Sequence, residues 1–345
     1  MRLNIPSLLF LLILPLLLSS CQTISFYTQA AKGQAEITLK RRPISKVLRD
    51  PSTEPKVASQ LRLAQELVTF AEQKLSLDSS GSYQHYTDLK REHVVYIFHA
   101  VPEFSLEPKT WWYPIVGPQD YRGFFKKEQA ANIEQKFKEQ GFDTYIGGVN
   151  AYSTLGFFRD PLLNTFIDYP EVDLAELIFH ELTHHRYYEK GETAFNEALA
   201  EVVAREGTRR WLQEKGDHAG LKTYKLRLKR RSAIRSAIEE SIARLEELYS
   251  QEHHEEQMRS LKAKELSALK KRITQLYKGW QQKPSNFLSS PLNNAHLNAY
   301  TTYEALVPQL QQCLRDHNND LDAFLSSVER EGPDILPTPQ APNRD

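Results

Sequence analysis

Residues 180–201 read HELTHHRYYEKGETAFNEALAE, and the chemistry of the chain turns on how that stretch folds. On a helix, residues four apart rise about 6 Å and turn by roughly 40°, so the imidazoles of His180 and His184 project from one face. Two such side chains can share one metal ion, and Glu181 projects beside them, near enough to take a proton from water on that metal. His185 is rotated by about 100° from His184 and cannot join the pair, so it reads as a flanking residue. A catalytic zinc wants three protein ligands and an open fourth position, so a third ligand has to come from another element. Gly191 closes the first helix, and Glu197 at the start of the next is the candidate third ligand. Glu201, one turn further along the same face, is placed to accept the free N–H of a ligand histidine and fix its tautomer.

Working outward, the period of the apolar residues changes along the chain. Residues 25–42 favour helix, Pro43 and Pro51 bracket a short second one, and Pro55 opens a third with Leu61, Ala64, Leu67, Val68 and Ala71 at helical spacing. Between residues 81 and 148 the runs HVVYIFHAV, TWWYPIV and DTYIGGV are β-rich, around an amphipathic helix over 128–140 that ends at Gly141. Residues 150–156 look like a further short strand. Asp173 is the expected N-cap of a helix that runs through the histidines to about residue 189. Another helix is expected from 194 to about 215. From 221 to 280 two apolar stripes in highly charged sequence, Ile234, Ile238, Ile242, Leu245 and Tyr249, then Met258, Leu261, Leu266, Leu269, Ile273 and Leu276, predict an antiparallel helical hairpin with its tip near 250–256. His253 and His254 at that tip read as surface residues.

These readings predict an α+β fold, mainly helical, with a small mixed or antiparallel sheet whose edge strand precedes the metal-binding helix. The expected organisation is a signal peptide over 1–20, N-terminal helices over 21–80, a core over 81–215, the hairpin over 216–282, a helical segment over 283–331 completing the core, and a disordered tail over 332–345.

The 345 residues, 40% hydrophobic and 26% charged, suffice for a sizeable core. Forty-four basic residues balance forty-four acidic ones, so no overall field draws in nucleic acid, and specificity has to reside in a local site. At the N-terminus, Arg2 and an apolar run from Ile5 to Leu18 lead to Leu18-Ser19-Ser20-Cys21. That run is short for a membrane span and has the features of a secretory signal. The segment resembles a bacterial lipobox, which implies lipidation of Cys21. Gln22 follows rather than an aspartate, which by the same resemblance implies the outer membrane, facing the periplasm. Only Cys313 remains after Cys21, so no internal disulfide is available, and Cys313 is expected to be a buried helix residue.

His180-Glu181-x-x-His184 followed by Asn196-Glu197-Ala198-Leu199-Ala200-Glu201 resembles the gluzincin metallopeptidases, in which thermolysin-like enzymes carry N-E-x-x-x-D at the second position. The gap from His184 to Glu197 is shorter here. Asn150-Ala151-Tyr152 resembles the N-A-F-W edge strand on which thermolysin-like enzymes hold a substrate backbone, which implies that Asn150, Ala151 and Tyr152 bind substrate. Over nearly the whole mature chain, through PEFSLEPKTWWYP, GGVNAYSTLGFFRDPLL, LIFHELTHH, GETAFNEALAE and PLNNAHLNAYTTYEALVP, the sequence resembles bacterial lipoproteins described as zinc aminopeptidases. The resemblance implies a gluzincin-like core, Zn2+ held by His180, His184 and Glu197, Glu181 as general base, and a peptide substrate. Tyr303 is the candidate stabiliser of the oxyanion, with Tyr300 and His296 as alternatives. Glu103 and Glu107 are among the carboxylates available to a substrate amine. Two other activities fit the same residues: an envelope endopeptidase, and a non-catalytic lipoprotein with a structural zinc site and a partner-binding hairpin.

Overall fold

The computed structural model describes residues 26–113, 117–151, 154, 159–304 and 306–337, the side chains of Asn286, Thr302 and Tyr303 excepted. Cys21, Tyr152, the signal segment and the last eight residues of the tail therefore lie outside the described residues, as does the Tyr303 side chain.

The fold is mainly helical with small sheets. α1 (residues 26–39) leads through β1 (Arg42–Pro43) and the single turn α2 (Ile44–Val47) to α3 (Pro55–Lys74). Pro55 at the first turn presets the helical φ of α3, and Leu61, Ala64, Leu67, Val68 and Ala71 are all buried, as their spacing predicts. β2 (His85–Thr87), β3 (Val95–Pro102), β4 (Trp111–Tyr113), β5 (Gly117–Gln119) and β6 (Arg122–Phe124) precede α4 (Lys127–Glu139) and β7 (Phe142–Val149). β8 (Leu162–Leu163) then leads to α5 (Glu171–Arg186) and α6 (Thr193–Glu214).

Among the described residues the strands form three small sheets. β6-β3-β7 is antiparallel, with β3 central and Phe98 paired to Ile146; β1-β2-β8 is mixed; β4-β5 is a two-stranded ribbon. β7 is thus an edge strand of its sheet, and it stops at Val149. The strand expected over 150–156 does not form at its described residues. Asn150 instead turns inward: its Nδ2 donates to the Tyr169 hydroxyl at 2.6 Å, His93 meets its Oδ1, and the Thr165 hydroxyl donates to its carbonyl. Those bonds bend the chain off the sheet.

The α5–α6 pair forms the centre. Leu174, Ala175, Ile178, Phe179 and Leu182 bury one side of α5, each large side chain contributing about 1.5–3 kcal/mol. α6 is buried around most of its circumference. α3 covers α5, and α10 (Val307–Asp316) and α11 (Leu321–Glu331) complete the same core, with Cys313 buried on α10. α7 (His218–Tyr249) and α8 (Glu255–Gly279) fill the charged stretch, joined by residues 250–254. They run antiparallel, since Arg272 reaches Glu240 while Ser241 and Arg244 reach Glu265. Ile238, Leu245, Leu269 and Ile273 form their shared core, closed by Leu288, Leu292 and Leu297, the last from α9 (Asn294–Glu304). The pair is docked on its own fold, because Lys262 of α8 pairs with Asp143 of β7 at 2.6 Å and Arg259 grips Glu103. His254 is exposed and His253 half-buried at the turn.

Three local expectations are corrected. Pro170 rather than Asp173 occupies the N-cap of α5; Asp173 lies in the first turn and pairs with Arg227 of α7. α5 ends at Arg186, not near 189, because Tyr187 is already extended at φ −146° and ψ 133°. Gly332–Ile335, assigned to a disordered tail, forms a 3-10 turn after α11. Among the described residues no helix is long and apolar enough to cross a membrane.

Candidate metal centre

The two helices meet at the site because of what lies between them. Tyr187 and Tyr188 carry the chain away from α5, and Gly191 turns it back at φ +90°, a left-handed conformation that a side chain resists. Asn196, on the first turn of α6, then ties this loop down: its Oδ1 accepts from the Glu189 N–H at 2.8 Å and its Nδ2 donates to the Glu189 carbonyl at 2.7 Å. That two-point clasp fixes where the next residue, Glu197, faces. The Asn of the Asn-Glu pair is therefore the fastener of the loop, a role that only the fold reveals.

His180, His184 and Glu197 are brought together, with one donor atom from each inside 4.8 Å of the others. His180 Nε2 lies 3.2 Å from His184 Nε2 and 3.2 Å from Glu197 Oε2, and His184 Nε2 lies 3.8 Å from the same oxygen. Three electron-pair donors converge on one point, mostly out of water. Such a set repels itself unless a cation sits among them, either a proton or a metal ion, so the donor chemistry fits a metal. Burial by itself would lower the His180 pKa, but the hydrogen bond and charge of Glu197, with Glu181 and Glu201, lift it to about 9. Burial would likewise raise Glu197, yet hydrogen bonds and charge from His180 and His184 hold it down at about 2. Both shifts favour imidazolium beside carboxylate, the arrangement of charge that a metal ion among the three donors would replace.

Glu181 is displaced upward. Burial is the main cause, His180 and His184 oppose it, and the charges of Glu197 and Asp160 reinforce it. Glu201 Oε2 stands 3.9 Å from His180 Nδ1, beyond hydrogen-bond length, while its Oε1 accepts from Arg205 Nε at 2.7 Å and Arg231 Nη1 at 3.1 Å. Among the described residues His184 Nδ1 has no hydrogen-bond partner.

His185 points elsewhere, as the helical rotation requires: its Nε2 lies 3.4 Å from Asp160 Oδ2. Asp160 also accepts from the Thr154 N–H at 2.9 Å and hydroxyl at 2.8 Å, so His185 pins the end of α5 to the segment just before β8. The other sequence candidates lie apart from the triad in their contacts. Glu103 is engaged by Arg259, Glu107 is exposed, His296 stacks on Tyr145 with ring centroids 4.5 Å apart, and the Tyr300 hydroxyl reaches the Arg231 carbonyl at 3.5 Å.

Two tyrosines that sequence reasoning passed over do belong to this neighbourhood. The Tyr188 ring lies 6.2 Å from the His184 ring, its hydroxyl accepts from Gln119 Nε2 at 3.5 Å, and its pKa is raised mainly by burial and also by Glu197. Tyr83 is buried with φ +61°, its N–H donating to the Asp160 carbonyl at 2.7 Å, and burial with the charges of Glu181 and Asp160 pushes its phenol far up. Tyr188 is signalled only as the second residue beyond the helix; nothing local marks Tyr83.

Neither the curated proteins nor the solved structures contain a match to the chain. The family model described as "Putative aminopeptidase" matches residues 25–333, a span that includes every residue of the triad and its surroundings, and the chain belongs to that family.

Proposed function

We propose that the protein is a zinc-dependent aminopeptidase with a gluzincin-like core. The carrying observation is the convergence of His180 Nε2, His184 Nε2 and Glu197 Oε2, from helices flanking one short loop, with Glu181 adjoining the first ligand. A zinc ion held by these three supplies Lewis acidity toward the scissile carbonyl and makes water a competent nucleophile near neutral pH. Glu181 takes the proton of the attacking water on its carboxylate and delivers it to the leaving nitrogen. Its upward-shifted pKa makes it the better proton acceptor, and the leaving nitrogen, more basic still, then takes the proton from it. Glu201 faces the His180 ring from the Nδ1 side at 3.9 Å, where its negative charge favours a proton on that nitrogen and Nε2 as the ligand atom.

Substrate runs along the edge of β7 as an added strand, a mode in which backbone hydrogen bonds supply affinity. The resemblance assigns substrate binding to Asn150, Ala151 and Tyr152, but the polar groups of Asn150 are engaged within the fold, Ala151 is buried beyond the end of β7, and Tyr152 lies outside the described residues. Tyr303 remains the oxyanion donor the resemblance suggests, and Tyr188 is a second phenol beside His184. Cys21 anchors the protein by lipid to the outer membrane, with the peptidase facing the periplasm.

The test is direct. Zinc-loaded protein is assayed on matched peptides with free and blocked amino termini, and zinc content is measured for wild type and His184→Ala. Cleavage of free-amine peptides alone supports the aminopeptidase reading. Equal cleavage of blocked ones makes the protein an endopeptidase. Zinc uptake without cleavage of either leaves a structural site, and undiminished zinc in His184→Ala removes the ligand assignment.

A further inference from the structure

We infer that the α7–α8 hairpin is part of the metal centre, and that Arg231 of α7 is the positioning residue through which it acts. The inference rests on the zinc reading above. Arg231 lies midway along α7, yet its guanidinium touches both helices that bear the metal ligands. Toward α5, Nη1 and Nη2 pair with the two oxygens of Glu176, each at 3.1 Å, and Glu176 sits four residues before His180, on the same helical face. Toward α6, Nη1 donates at 3.1 Å to Oε1 of Glu201, whose other oxygen stands 3.9 Å from His180 Nδ1.

One planar, permanently charged fork therefore fixes three things at once: the spacing of α5 and α6, the rotamer of Glu201, and the sign of charge behind that carboxylate. Arg205 grips the same Glu201 oxygen, but from one turn along α6, so it cannot set the distance between the two helices. Arg205 also bonds Glu304 of α9 at 2.6 Å, which extends the buried charge network away from the metal. Arg227, one turn earlier on α7, gives the necessary contrast. It pairs with Asp173 and Glu176 but not with Glu201, so it docks the hairpin on α5 without reaching the carboxylate behind His180.

Zinc affinity of the full-length protein, measured by competition with a chromophoric chelator, distinguishes positioning from docking. Arg231→Gln is expected to weaken zinc binding about 10-fold to 100-fold and to lower kcat with KM little changed, as loss of a group behind a metal ligand does. Arg231→Lys keeps the charge and not the fork, and is expected to recover only part of the loss. Arg227→Gln is expected to stay within about twofold of wild type, the range of an ordinary surface change. Should Arg231→Gln fold poorly, Glu201→Gln, which keeps shape and loses the charge, is expected to weaken zinc to a similar degree. Wild-type zinc affinity in folded Arg231→Gln or in Glu201→Gln overturns the inference and leaves the zinc site standing. Equal weakening by Arg227→Gln also overturns it, since the hairpin then acts only by docking. A wild type that takes up no zinc overturns both this inference and the reading it rests on.

Discussion

Glu197 Oε2 lies 3.2 Å from His180 Nε2 although the two residues belong to different helices and a glycine turn separates them. Each residue favours the charged form of the other, the imidazole raised to about 9 and the carboxylate lowered to about 2. On the zinc reading, the metal ion and the imidazole proton compete for one position.

Zinc uptake near pH 7 is accordingly expected to release about one proton per site, and apparent affinity is expected to rise with pH up to about 9. Calorimetry in buffers of different ionisation enthalpy reads the number of protons directly. Uptake that releases none would show that His180 is not a ligand through this nitrogen.

Glu181 is not among the converging donors, so its roles in binding and in chemistry separate cleanly. Glu181→Gln keeps the shape and removes the base. Zinc content is expected to remain at the wild-type level while turnover falls by about 10²- to 10⁴-fold, the usual contribution of a positioned proton acceptor. Elemental analysis beside peptide hydrolysis is the measurement. Retained turnover would assign the proton transfer to another group, with Tyr83 and Tyr188 the first to examine.

Acid sensitivity is expected from a different part of the fold. Burial holds both His99, hydrogen-bonded to Asn298 at 3.0 Å, and His296, stacked on Tyr145, at about 4. Each is neutral when folded, whereas the unfolded chain takes up protons from about 6.5 downward. The unfolded state thus binds more protons between these values, so stability is full above about pH 6.5 and falls as pH drops toward 4. The slope is up to about 1.4 kcal/mol per pH unit for each histidine. Urea midpoints measured from pH 7 to 4.5 are expected to fall less steeply in His296→Gln than in wild type. Parallel curves would contradict the assignment.

What could be read from the chain, and what could not, follows the range of the forces involved. The three ligand candidates and Glu181 sit within eighteen residues, and helical geometry alone puts His180 and His184 on one face, so local spacing was sufficient to propose them. Helix α3 was equally legible, because Pro55 and a regular apolar stripe agree. The end of α5 was not: Tyr187, Tyr188 and Glu189 have no helix-breaking chemistry, and the turn to Gly191 is imposed by the Asn196 clasp from the following helix. At its described residues the strand expected over 150–156 does not form for a similar reason, since Tyr169 and Thr165 pull Asn150 inward from elsewhere in the fold. Arg231 and Asp160 are invisible to any local pattern, because each reaches the site's surroundings across more than twenty residues of sequence.

A tight contact between α6 and its neighbours at Gly207 gives the last prediction, and two opposing effects have to be weighed for its sign. Gly207 lies inside α6, where replacement by alanine normally gains about 1 kcal/mol of helix stability. A Cβ there would stand 2.7 Å from Leu75 Cδ1 and 2.9 Å from Phe179 Cδ2, closer than carbon atoms tolerate. Leu75 and Phe179 are themselves fully enclosed, at 1% and 0% exposure, so neither has room to withdraw. Forcing a methyl into such a place costs about 1–3 kcal/mol, which outweighs the helical gain. Gly207→Ala is therefore expected to lower the unfolding free energy, and a melting temperature at or above wild type would show that α3 yields. Because Phe179 directly precedes His180 on α5, the displaced ring also pushes the first ligand, and zinc affinity is expected to fall together with stability.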